Sequence, residues 1–159
     1  MRKIENIVEH FYNSFAKKDY KSMQDCYHED AVFSDPVFTN LQGKQILAMW
    51  HMLCIAGKDL QITHSNVGAF DTSAQASWKA VYTFSKTGRI VHNNISANFH
   101  FKDDLIIHHN DSFDFWKWSS MALGFSGYLL GWTQFIQQKV QSNAMYQLEN
   151  FIKQNPQYL

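Results

Sequence analysis

Three side chains have the type and placing needed for proton chemistry: Asp35, His109 and Asp111. Asp35 stands before Pro36, at the end of a short apolar run from Ala31 to Ser34. Proline restricts the residue before it to extended geometry and lacks an amide donor, so Asp35 is expected to be held extended at a strand end. A carboxylate in an apolar cavity has a raised pKa and can take a proton from a carbon next to a carbonyl. An aspartate there can equally bond backbone amides of the turn. His109 and Asp111 are two positions apart in LIIHHNDSFD. On a strand they share a face, about 6.6–6.8 Å apart along the axis, and can flank one small ligand. They can also satisfy each other as a buried His–Asp pair, with Asn93 as a further partner.

The stretch that must position them is a hairpin from Arg89 to Asp114. Both arms alternate with period two. On the first arm Val91, Asn93, Ile95, Ala97, Phe99 and Phe101 share a face, opposite His92, Asn94, Ser96, Asn98 and His100. On the second arm Leu105, Ile107, His109, Asp111 and Phe113 share a face, opposite Ile106, His108, Asn110, Ser112 and Asp114. One face is apolar and the other polar, the pattern of an antiparallel sheet with one buried side. Asn93, His109 and Asp111 lie on the apolar side, where a polar group is costly unless hydrogen-bonded.

The preceding chain supplies the cover. Ile4, Ile7, Val8, Phe11, Tyr12 and Phe15 recur at helical spacing between about Lys3 and Lys17. Asp19 can cap a short second helix to about Cys26. His28-Glu29-Asp30 reads as a turn and Gly43 to Ala56 as a third helix ending at Gly57. Leu60 to Val67 and Ala74 to Phe84 alternate as strands. Helices followed by a run of strands indicate an α+β domain. Phe11, Tyr12, Trp50, Trp78, Tyr82, Asn93 and Ala97 are expected to line the space between helices and sheet.

Four stretches carry a family resemblance: FAKKDY closing the first helix, HEDAVFSDP, GKQIL, and NDSFD ending the last strand. Through them the chain, over about residues 1–114, resembles the nuclear-transport-factor-two-like superfamily, in particular its SnoaL-like polyketide-cyclase and ketosteroid-isomerase branch. The resemblance implies a cystatin-like cone, a curved antiparallel sheet covered by N-terminal helices, often paired into a homodimer through the outer face of the sheet. There Ile106 and Val81 would add apolar contact. The resemblance also implies that Asp35 is a general base. The isomerases stabilise the enolate with a tyrosine on the first helix and a protonated aspartate on the strand before the last. These positions align with Phe11 and Ala97, and neither can donate a hydrogen bond. Tyr12 is adjacent, but neighbouring helix residues point about a hundred degrees apart. Asp111 matches the first aspartate of the RDYFD-like ending of limonene-epoxide hydrolases, which helps activate water. Their Arg-x-Asp pair has no counterpart in His92-Asn93-Asn94.

The expected function is therefore a small-molecule enzyme of the isomerase or cyclase type, or a hydrolase-like relative, without the usual oxyanion donors. Asp35 would move a proton on an apolar carbonyl substrate, with His109 and Asp111 orienting it. The alternative is a non-catalytic ligand-binding or oligomerisation module, since fold does not imply function.

Bulk composition narrows the partners. The 159 residues are 45% hydrophobic and 18% charged with zero formal net charge. No basic face points to nucleic acid. The charged start MRKIENIVEH is not a secretory signal, and a cytoplasmic location is expected. Cys26 and Cys54 form no metal spacing and read as reduced packing residues. No HxH or HxxxH pattern supports His64, His109 and Asp111 as a facial triad, so no metal and no cofactor are expected.

Residues 115–159 read as an added helical extension. Asp114 can cap a helix through Leu123, and Gly124, Gly127 and Gly131 break it. Thr133 to Ile152 follows, with Phe135, Ile136, Val140, Ala144, Leu148, Phe151 and Ile152 as the apolar stripe. Cover over the cavity or self-association is favoured. Membrane association is not expected, because the last helix carries only Lys139 and Lys153 as cations.

Overall fold

A computed structural model describes residues 2–159 of the chain. The order is α1 (Arg2–Ala16), α2 (Tyr20–Gln24), β1 (Tyr27–Ser34), β2 (Leu41–Gln42), α3 (Lys44–Ala56), β3 (Gln61–Phe70), β4 (Ser73–Phe84), β5 (Arg89–Lys102), β6 (Leu105–Ser112), α4 (Phe115–Leu123), α5 (Phe125–Leu130), α6 (Gln134–Gln154) and a final 3₁₀ turn, Pro156–Tyr158. The six strands form one curved, open sheet in the order β2-β1-β6-β5-β4-β3. The ladders from β3 through β6 are antiparallel. The sheet as a whole is mixed, because β1 lies parallel to β6.

Helix α1 fills the inner side of the sheet. Val8, Phe11, Tyr12 and Phe15 are all buried on it. Phe11 and Tyr12 are neighbours, yet both are wholly enclosed and meet edge-to-face at 5.2 Å. A flat sheet covers one stripe of a helix; a curved one reaches both sides of that stripe. Full burial of an aromatic side chain of this size contributes about 1.5–3 kcal/mol. Asp19 caps α2, accepting from the Ser22 amide at 3.2 Å. Cys26 and Cys54 are free and buried, and burial pushes their thiols up to about 12 and about 11.

Three expectations are corrected. His28-Glu29-Asp30 is not a turn but part of β1. The β1–β6 register shifts between Tyr27 and Val32, so the segment bulges within the strand without ending it. Ile106 is not on the outer face: it is fully buried. A register shift places His100 opposite His108 but Phe101 opposite Ile106, which skips Ile107 and turns Ile106 inward. Phe135 does not join the apolar stripe of α6 and is 69% exposed. That helix buries Leu148 and packs along α3 further down its length.

The extension closes round the domain. Asp114 caps α4 through the Lys117 amide at 3.0 Å. Helix α4 lies on β5, where Trp118 and Ala122 bury Val91. Gly124 ends α4 with φ +69°, a conformation in which a Cβ is strained. On α6, Gln137 and Gln141 donate through Nε2 to the Pro36 carbonyl at 3.3 and 3.0 Å. In the final 3₁₀ turn the Tyr158 hydroxyl meets Gln24 Nε2 at 2.8 Å and His51 Nδ1 at 2.9 Å. Among the described residues no helix is long and apolar enough to cross a membrane.

Candidate functional site

The inner face of the sheet carries two polar groups of different character. The first centres on His109. The register sets Phe33 of β1 and Phe99 of β5 on either side of it, and sets Ala97 opposite Asp111. Trp50 Nε1–H donates to the Tyr27 hydroxyl at 2.9 Å. That hydroxyl lies 2.6 Å from His109 Nδ1, and His109 Nε2 lies 3.0 Å from Asp111 Oδ1. Trp78 Nε1–H donates to the same carboxylate oxygen at 3.4 Å.

Proton positions follow from the inventory of donors. An indole can only donate, so the Tyr27 oxygen accepts from Trp50, which leaves its own proton free to point to His109. Nδ1 is then the acceptor and Nε2–H donates to Asp111. The tautomer is then set by this chain of bonds. Phe99, Phe33 and Phe11 enclose the ring, with centroids 4.2, 5.0 and 5.7 Å away. Burial raises the Tyr27 hydroxyl well above its ordinary pKa, which keeps it a donor.

The second group centres on Asp35, just past the end of β1. Its Oδ1 accepts from the amides of Val37 and Phe38 at 2.7 and 2.6 Å, and its own amide donates to the Phe38 carbonyl at 2.8 Å. The other carboxylate oxygen has no protein partner among the described residues. Loss of solvent pushes the carboxyl up to about 7, against the pull of the two amides and with a smaller push from the charge of Asp111. Tyr82 on β4 lies within reach of that charge. Burial raises its pKa first, the bond from Trp118 Nε1 at 2.9 Å opposes, and Asp35 adds to the rise. The Asp35-Pro36 turn is held from outside by α6, through the two glutamines on Pro36.

Tyr12 adjoins the His109 group, with its ring beside Trp78 and Phe99. Its hydroxyl is buried without a hydrogen-bond partner among the described residues. Burial, and after it the charges of Asp111 and Tyr27, raise its pKa well above the ordinary value, so it stays a neutral donor. Its ring stacks on His64 at 5.3 Å, and His64 Nε2 meets Glu9 at 2.6 Å.

The structure therefore brings His109, Asp111 and Trp78 into direct contact and couples Asp35, Asp111, Tyr12 and Tyr82 through their charges. Phe11 and Trp50 are wholly buried against the His109 group rather than facing open space. Ala97 is equally enclosed, and Asn93 is buried on β5 across from Ala80. His64 is engaged by Glu9, and among the described residues no three His, Cys, Asp or Glu side chains are grouped to hold a metal. Two partners escaped the sequence reading. Tyr27 is in phase with Ala31 and Phe33, so period two could have found it. Trp118 had no local signal.

Two recesses open on the surface. One, of about 460 Å³, is lined by Arg89, Asp114, Trp116, Lys117, Ser120, Met121 and Tyr128. The other, of about 390 Å³, includes His64 and Trp78, which places it next to Tyr12 and Asp111. Neither is lined by Asp35 or Asp111.

Comparison with known proteins completes the picture. Among solved structures, an LEH-like epoxide hydrolase of M. tuberculosis superposes with a TM-score of 0.64 at 14% identity, covering 81% of this chain and 96% of that one. A candidate polyketide cyclase of Xanthomonas campestris gives 0.64 at 16% identity, covering 76% and 97%. A protein with a ketosteroid isomerase-like fold from Catenulispora acidiphila, solved with trimethylamine, gives 0.63 at 8% identity, covering 73% and 91%. Likeness at such identities concerns the fold. No curated protein matches the chain. The family model for the SnoaL-like domain matches residues 8–109. On that match, supported by the common fold of these structures, the chain belongs to the SnoaL-like family.

Proposed function

We propose that the protein is a small-molecule enzyme of the isomerase or cyclase type in which Asp35 transfers a proton on an apolar, carbonyl-bearing substrate. The observation that carries this reading is the Asp35 carboxyl, raised to about 7 with one oxygen unclaimed. A general base works best when its pKa lies near the working pH. A proton taken from carbon leaves an enolate, which needs a donor where its charge develops. Phe11 and Ala97 supply none. The Tyr12 hydroxyl is a neutral donor that nothing in the protein uses. Asp111, oriented by His109, sets the electrostatic field around both.

A second reading has its own support. The His109 group is bonded from Tyr27 to Asp111, and the two amides on Asp35 suit a structural turn. On this reading the same fold binds an apolar ligand without converting it. Asp35→Asn separates the two, because an amide oxygen still accepts the Val37 and Phe38 amides. Exchange of the α-protons of an apolar ketone in D₂O should fall at least about a hundredfold while affinity for the ketone changes little. If no exchange above background occurs with the native protein, the enzyme reading fails and the binding reading stands.

We also propose that two copies pair through the outer face of the sheet, where His92, Asn94, Asn98, His100 and His108 are exposed. Sedimentation of the native protein against His100→Glu tests this. An unchanged monomer in both would remove the proposal.

A further inference from the structure

We infer that the face formed by α5 and the start of α6 docks on the surface of a lipid bilayer containing anionic headgroups. The argument begins at Gly127. A Cβ there would lie 1.9 Å from the Ser119 carbonyl oxygen, so α5 sits directly on α4 and its remaining sides must point outward. They are apolar: Phe125 is 77% exposed, Trp132 70% and Tyr128 60%, with Leu129, Leu130 and Trp116 about half exposed beside them. Apolar patches of this extent mark an interaction site.

The chemistry of the patch favours lipid over protein. Trp116 Nε1–H already donates to the Tyr128 carbonyl and Trp132 Nε1–H to the Leu129 carbonyl, each at 2.9 Å. Both indoles can therefore enter an apolar phase without stranding a donor. Tryptophan and tyrosine are the residues that concentrate at membrane interfaces.

The charge is complementary as well. Between Asp114 and Glu149 the chain has no acidic residue, and Lys117 and Lys139 are its only charges. The last helix alone is poor in cations, which weighed against a membrane in the sequence. The fold adds Arg89 from the β4–β5 hairpin. Its Nε donates to the Met121 carbonyl at 2.8 Å, and its guanidinium lies against Gly124. Arg89 and Lys117 then line one recess with Trp116 and Tyr128. Asp114 lines it too and caps α4 through one oxygen, so the recess holds two cations against one carboxylate. A recess with two cations and two aromatic walls suits a lipid phosphate whose acyl chains lie beside α5. Interfacial binding of this kind grows with buried apolar area and with attraction to anionic lipid.

The test is flotation of the purified full chain with phosphatidylcholine vesicles, with and without phosphatidylglycerol. The native protein should float with the anionic vesicles, at least about tenfold more than with phosphatidylcholine alone, and added salt should reduce it. The triple variant F125S/L129S/W132S should remain at the bottom while keeping native helical content. Quenching of tryptophan fluorescence by brominated lipid tests the same contact in the native protein and needs no variant. A native protein that neither floats nor is quenched overturns the inference. So does flotation equal to native by a folded triple variant. A concentration-dependent dimer of the lipid-free protein, lost in that variant and unaccompanied by flotation, would assign the face to a second copy and overturn it as well.

Discussion

The His109 group and the Asp35 group lie on the same inner face, and they differ in how far their bonds reach along the chain. Around His109 a continuous run of bonds links Trp50, Tyr27, His109, Asp111 and Trp78. Around Asp35 the bonds stay within its own turn, from the amides of Val37 and Phe38, and the Tyr12 hydroxyl is buried with no protein partner among the described residues. A closed network rigidifies, because breaking any link strands a buried group. An open one keeps capacity for a ligand at a cost in stability. The contrast is between a long-range network that ties β1, β6, α3 and β4 together and groups bonded only locally or not at all.

The largest effect should come from breaking the network. His109→Ala would strand the Tyr27 hydroxyl and the Asp111 carboxylate together in an apolar shell, and is expected to lower stability by about 3–5 kcal/mol in urea unfolding. Tyr27→Phe removes the acceptor of Trp50 and the donor to His109 at once, and should cost about 1–3 kcal/mol. If either variant is as stable as the native protein, the network does not hold these elements together.

The Asp35 side should answer to pH instead. Its folded pKa, about 7, lies above the ordinary 3.8, so the folded state holds the proton more tightly than the unfolded state. Stability is therefore greatest at low pH for this group and declines as pH rises from about 4 to about 7. Asp35→Asn should flatten that decline. Above pH 7 it should be more stable than the native protein, by about 1–2 kcal/mol once partial exposure of the turn is allowed for. A pH profile of unfolding that is identical in the two proteins would contradict this.

The smallest effect belongs to Tyr12. Tyr12→Phe deletes an unmatched buried hydroxyl and should leave stability unchanged or raised by up to about 1 kcal/mol. Affinity for a carbonyl ligand should still fall, roughly fivefold, by loss of one hydrogen bond. A clear loss of stability would show that Tyr12 belongs to the network after all.

Much of this was legible in the sequence because it is local. The caps Asp19 and Asp114 act on residues three positions ahead. The alternation of β5 runs unbroken and correctly puts Asn93 inside and His92 outside. What stayed hidden depends on pairing. Ile106 turns inward because of a one-residue slip, which leaves no mark in composition. The HED segment is polar enough for a turn, yet it is carried within β1. Tyr27 finds its partner 82 positions away, and no spacing rule spans that distance. Trp118 belongs to an extension whose docking on β5 only the folded sheet defines.

The parallel placement of β1 beside β6 also sets an order of assembly. Neighbouring strands can pair as soon as both exist, as β1 does with the short β2, but the parallel ladder of β1 must wait for a strand from the far end of the domain. Contacts of such sequence separation require closing a long loop first and slow folding accordingly. During synthesis α1, α2 and β1 leave the ribosome with their apolar sides uncovered, and the mate of β1 arrives only after β3, β4 and β5. That pairing brings the charge of Asp111 within reach of Asp35. A chain cut short before β6 lacks His109 and Asp111, and keeps of the candidate site only what the Asp35 turn and the preceding elements supply.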